Sequence, residues 1–287
     1  MKYKMTFLLL TLLYIGNIQA QDFGTKWVVK GLEAPESVVY DHTSKQYYVS
    51  NVSGQPAEKN GQGFISILSS DGKILVKKWI SGLNAPKGLG LYYNQLFIAD
   101  IDEVIQVDVQ EGKIVKRFPA EGATFLNDIE IAVDGAVYVT DTFGGNSIYR
   151  IRDSQIELWL KNEALDYPNG LKLVDDSILV STWGVVTNSE TFGTEIPGKL
   201  LKVNLETKQI TELSKPTGNL DGLEAFKDYF LVSDWISGGL ISIDGEGKSQ
   251  LVKELKPGSA DFFYNKSENL ILVPQMLDNE LIALQLK

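Results

Sequence analysis

A short polar motif that opens an apolar strand recurs six times along this chain. The copies are Ala34-Pro35-Glu36-Ser37-Val38, Ala85-Pro86-Lys87-Gly88-Leu89, Leu126-Asn127-Asp128-Ile129, Tyr167-Pro168-Asn169-Gly170-Leu171, Leu220-Asp221-Gly222-Leu223 and Ser259-Ala260-Asp261-Phe262. Between the first polar positions (Glu36, Lys87, Asn127, Asn169, Asp221, and Ala260 in the last copy) the steps are 51, 40, 42, 52 and 39 residues. Alone, a Pro-Asn-Gly or Leu-Asp-Gly is a turn, because Asn, Asp and Gly favour turns for backbone reasons. Recurring in phase at this period with strands between the copies, the motif points to propeller blades.

Each repeat carries four strands. The second strands align: Tyr47-Tyr48-Val49-Ser50-Asn51, Leu96-Phe97-Ile98-Ala99-Asp100, Val137-Tyr138-Val139-Thr140-Asp141, Ile178-Leu179-Val180-Ser181-Thr182, Phe230-Leu231-Val232-Ser233-Asp234 and Leu270-Ile271-Leu272-Val273-Pro274. Their β-branched and aromatic content suits buried strands. Third and fourth strands follow as hairpins about Asp71-Gly72, Glu111-Gly112 and Gly245. The last repeat stops one strand short, whereas Lys26-Trp27-Val28-Val29-Lys30 precedes the first motif as a spare strand. It is predicted to pair with Leu281–Leu286 and close the ring, which protects edges that an open stack would expose. The expectation is an all-β, six-bladed β-propeller of four-stranded antiparallel blades, one domain over residues 21–287.

Six blades around one axis bring the six motif positions together. Glu36, Asn127, Asn169 and Asp221 then offer two carboxylates and two amide oxygens, a set suited to Ca2+, although another divalent cation would also fit. Asp128 stands beside Asn127, placed to orient it or to join the pocket. Zinc is poorly served: the chain has no cysteine, and its one histidine, His42, falls in the polar run Asp41-His42-Thr43-Ser44-Lys45. Strand alternation puts the second-to-third loops on the motif's face, and the two long steps come from such loops, Val52–Gly63 and Trp183–Gly198, predicted to rim the axis. Phe125, Trp183, Phe192, Trp235 and Met276 are candidates for an apolar pocket there, or for packing between blades.

Met1-Lys2-Tyr3-Lys4, the apolar run Phe7 to Ile15 and Ile18-Gln19-Ala20 have the layout of a secretory signal peptide cleaved after Ala20, so a secreted or periplasmic product is expected. The lack of cysteine excludes disulfides, a thiol nucleophile and a lipobox anchor. The net charge of −10 argues against nucleic acid and anionic membrane as partners. A monomer is expected.

The motif set as a whole resembles the SMP-30/gluconolactonase superfamily of calcium-dependent six-bladed propellers, relatives of paraoxonases and diisopropylfluorophosphatases. The resemblance covers the whole chain after the leader. It implies that Glu36, Asn127, Asn169 and Asp221 bind a catalytic calcium. It also implies a small-molecule lactone or ester substrate, whose carbonyl the metal polarises while a carboxylate or activated water attacks. Asp221 is the implied base, and Lys87 is the alternative if burial or the metal lowers its pKa. Two positions depart from the pattern. Phe125 stands where the gluconolactonase branch carries an arginine that holds sugar hydroxyls, and Lys87 where the paraoxonase branch carries a histidine. A competing expectation is a propeller that keeps its ion for structure and binds a ligand or protein on the motif face.

Overall fold

A computed structural model describes residues 23–188 and 193–286. The leader expected at residues 1–20 and the pocket candidate Phe192 lie outside the described residues. Blade 1 comprises Pro35–Asp41, Gln46–Asn51, Gly63–Ser69 and Ile74–Leu83, and blade 2 comprises Pro86–Tyr92, Gln95–Asp100, Glu103–Asp108 and Lys113–Pro119. Blade 3 is Leu126–Ile131, Val137–Asp141, Ser147–Arg152 and Gln155–Lys161; blade 4 is Pro168–Val174, Ser177–Thr182, Leu200–Asn204 and Ile210–Glu212. Blade 5 is Leu220–Phe226, Tyr229–Asp234, Gly239–Ile243 and Ser249–Glu254, and blade 6 joins Phe263–Asn265, Leu270–Gln275 and Glu280–Leu286 to the N-terminal Phe23–Lys30. That last pairing runs antiparallel from Phe23 opposite Leu286 to Lys30 opposite Glu280, as expected for ring closure.

The apolar second strands are explained by six cores, each lying between two blades. Because successive side chains of a strand point to opposite faces, Tyr47 and Val49 pack against blade 6 while Tyr48 packs against blade 2. The same sharing gives cores between blades 2 and 3, 3 and 4, 4 and 5, and 5 and 6. No blade buries its faces alone, so the ring must be complete to be stable.

The inner strands pack in sequence around the axis, from blade 1 to blade 6 and back to blade 1. His42 is an exposed turn residue, as its polar neighbours predict. One loop exceeds expectation: the Trp183–Gly198 insertion forms a two-stranded hairpin, Gly184–Asn188 paired with Gly193–Pro197. No helix of the described residues is long and apolar enough to cross a membrane.

Candidate active site

The recurring motif turns out to be a β-bulge. In blade 1 Pro35 pairs with Asn51 and Val38 with Val49, so Glu36 and Ser37 together face the single residue Ser50. The same two-against-one slip occurs at Lys87-Gly88, Asn127-Asp128, Asn169-Gly170 and Asp221-Gly222. A bulge re-aims the side chains it carries, and here the first of each pair lines one pocket at the axis. Second-strand hydroxyls clip these bulges. The N–H of Asp128 donates to Thr140 Oγ1 at 3.0 Å, and that hydroxyl donates to the Asn169 carbonyl of blade 4 at 2.8 Å. Ser233 likewise accepts from the Gly222 N–H and donates to the Ala260 carbonyl, and Ser181 donates to the Asp221 carbonyl. Where the second bulge residue is glycine, the next blade leaves no room for anything larger: a Cβ on Gly170 would lie 2.3 Å from the Asp221 carbonyl oxygen.

The pocket has a volume of about 170 Å³ and a floor of Glu36, Lys87, Asn127, Asn169 and Asp221. Its walls include Phe125, Phe143, Trp183 and Trp235, with Pro56, Ile236 and Met276 completing the rim. The long loops therefore do border the axis, through Pro56 and Trp183. Asn127 Nδ2 donates to Asn169 Oδ1 and to Thr142 Oγ1, while Asn169 Nδ2 donates to the Leu220 carbonyl. Lys87 Nζ donates to the Ala85 carbonyl at 3.1 Å and lies 4.3 Å above the centre of the Phe125 ring.

Burial makes ionisation of the two floor carboxyls unfavourable without a counter-charge. Burial, then the Asp221 and Asp261 carboxylates, push the Glu36 pKa well above its ordinary range, with Lys87 partly opposing them. Asp221 is raised by burial and by Asp261. Burial lowers Lys87 to about 8, against the pull of Glu36, Asp100 and Asp141. Glu36 Oε2 is buried without a hydrogen-bond partner. No group of three or more His, Cys, Asp or Glu side chains is set to hold a metal among the described residues, so an ion here would rely on the two amides beside the two carboxylates. The orphaned carboxylate oxygen and the all-oxygen donor set fit a hard cation, with Glu36, Asn127, Asn169 and Asp221 as its holders.

Asp128 needs correcting as a pocket candidate. It does not line the pocket; its Oδ1 accepts from the Ile129 N–H at 2.7 Å and its Oδ2 from the Leu171 N–H at 2.6 Å. As the second residue of its bulge it points to the neighbouring blade and ties blades 3 and 4 together.

Several groups were not singled out by the sequence as site residues. Asp261 lies beneath the floor and accepts from Ser37 Oγ at 2.5 Å. Further along the axis, Lys172 Nζ sits 2.9 Å from Glu224 Oε2 and 3.6 Å from Glu130 Oε1. Phe143 stands on the four-residue helix Thr142–Gly145. A signal for it did exist: Trp183, Trp235 and Met276 each follow the last residue of a second strand, and Phe143 follows Asp141 by two.

No family model matches the chain, and no curated protein matches it in sequence. Solved structures do match. A gluconolactonase from Xanthomonas campestris superposes with a TM-score of 0.68 at 17% identity, over 90% of this chain and 88% of its own. This chain has the fold of a gluconolactonase. Virginiamycin B lyase from Staphylococcus aureus follows with a TM-score of 0.62 at 15% identity, over 93% of this chain and 100% of its own. A chain of a nidogen/laminin complex matches with a TM-score of 0.58 at 16% identity, over 78% of this chain and 80% of its own. These likenesses are likenesses of fold alone.

Proposed function

We propose that this protein is an exported, calcium-dependent hydrolase of a lactone or related ester, of the SMP-30/gluconolactonase kind, acting at the axial pocket. The observation that carries this reading is the meeting of Glu36, Asn127, Asn169 and Asp221, from four blades, on the floor of one pocket. Calcium held there would supply a Lewis acid for the substrate carbonyl.

The chain's own groups account for the rest. Asp221, a floor carboxylate that a bound cation would keep ionised, would take a proton from an attacking water and return it to the ester oxygen that leaves. Glu36 and the two amides hold and orient. The walls exclude water from around the reacting carbonyl. Lys87 is the alternative base, because at a pKa of about 8 its amine is partly neutral in the working range.

A second reading, a propeller that binds a ligand on this face without turnover, is favoured by Lys87 itself. Its buried ammonium already brings positive charge to Glu36, one of the two carboxylates that a metal would otherwise neutralise. Hydrolysis of a panel of small lactones and aryl esters, in calcium and in chelator, decides between them. The proposal expects turnover that chelation abolishes and calcium restores. Turnover indifferent to calcium would overturn the metal's role, and absence of turnover on every substrate would favour the binding reading.

A further inference from the structure

Above its floor the pocket, among the described residues, is lined by aromatic and aliphatic side chains. The carboxylate, amide and ammonium groups of its lining all belong to the five motif side chains, among the described residues. The walls are instead a run of aromatic rings from three consecutive blades. Phe125 meets Phe143 edge to face at 4.8 Å, Phe143 meets Trp183 at 5.7 Å, and Trp183 meets Trp235 at 6.0 Å. Ile236 and Met276 extend this surface. The volume of about 170 Å³ is close to that of apolar cavities that take up a benzene ring.

Such a pocket can satisfy the polar atoms of a ligand at one end only. A ring bearing hydroxyls on every carbon would press most of them against aromatic faces, stripped of water and short of partners. A ligand with one carbonyl and an apolar body meets polar groups at the floor and dispersion contacts elsewhere. We propose that the substrate is a small apolar lactone or aryl ester, about one ring in size, and that the walls discriminate against polyhydroxylated lactones. This inference rests on the hydrolase reading for its reaction, though not for its binding chemistry.

The test compares δ-valerolactone and D-glucono-1,5-lactone, which share a six-membered lactone ring and differ in their hydroxyl groups, with phenyl acetate as the aryl ester. The expected result is a kcat/KM for δ-valerolactone and phenyl acetate at least about tenfold above that for gluconolactone. Trp235, half-buried in the wall, can be changed with little risk to folding: Trp235→Gln is expected to narrow the ratio and Trp235→Phe to keep it, at unchanged Tm. Faster turnover of gluconolactone would overturn the inference while leaving the hydrolase reading intact. If nothing is hydrolysed, saturable binding of phenol by saturation-transfer NMR, weakened in Trp235→Gln, would uphold the apolar pocket and remove the hydrolase reading. Failure of both hydrolysis and phenol binding would overturn the inference.

Discussion

Asp261 occupies the copy of the motif whose first position is alanine, and its carboxyl is bonded to Ser37 of the first copy. Burial pushes it up to about 7, the Ser37 hydrogen bond opposing. Between its ordinary value near 3.8 and about 7, the folded state therefore holds a proton that the unfolded chain releases. The stability this contributes is complete below the lower value and is lost as pH rises through the upper one. Asp261→Asn keeps an acceptor for Ser37 and removes the titration. In chelator, its Tm relative to wild type should rise between pH 5 and pH 8, by about 2–6 °C for an effect on the order of 1–2 kcal/mol; a pH-independent difference would contradict the assignment. Substitutions on the floor separate base from ligand. Asp221→Asn should lower turnover about 100-fold or more with a smaller loss of calcium affinity, whereas Lys87→Met should retain turnover and bind calcium more tightly for want of a competing charge. The reverse pattern in kinetics and calcium titration would make Lys87 the base. The site's first polar residues were legible in the sequence because they recur in phase. Asp128 was misread because adjacency in sequence says nothing about which of two bulge residues faces the axis.

The bulge is the element that converts a repeat into a site. It was legible as a recurring motif, yet its two-against-one geometry was not, since no residue type demands it except the glycines. Gly170 and Gly222 are required by contact: a Cβ on Gly222 would lie 2.7 Å from the Phe262 nitrogen. Gly170→Ala should cost about 1–3 kcal/mol through overpacking and should displace Asp221, whose carbonyl it would strike. Chemical denaturation and turnover should fall together in this variant; wild-type values for both would show the contact to be relaxed at no cost. The hairpin Gly184–Asn188 with Gly193–Pro197 was hidden for a different reason. It belongs to no repeat, and its register is irregular at two places, so neither period nor alternation marks it.

At the scale of the molecule, the strand count and the missing outer strand of the last repeat made the ring and its closure legible. Val29, buried against Leu281 and other blade 6 residues, anchors that closure. Deleting residues 23–30 should leave the Glu280–Leu286 edge bare, lower Tm and yield aggregates on size exclusion; a monomer of unchanged Tm would show that the strand is dispensable. The pocket walls were only half legible, because an aromatic residue that lines a pocket and one that packs between blades look alike until the ring is closed. What the closed ring brings to one pocket is Glu36, Asn127, Asn169 and Asp221, with one Glu36 carboxylate oxygen buried and unpartnered. The most direct measurement is the thermal shift of chelator-treated protein on adding calcium. Binding to the folded state alone should raise Tm with the logarithm of calcium concentration above Kd, by about 5–10 °C at 100 times Kd, and the rise should vanish in Asp221→Ala combined with Asn169→Ala. An equal rise in that double variant, or none in the wild type, would contradict a calcium site at the axis.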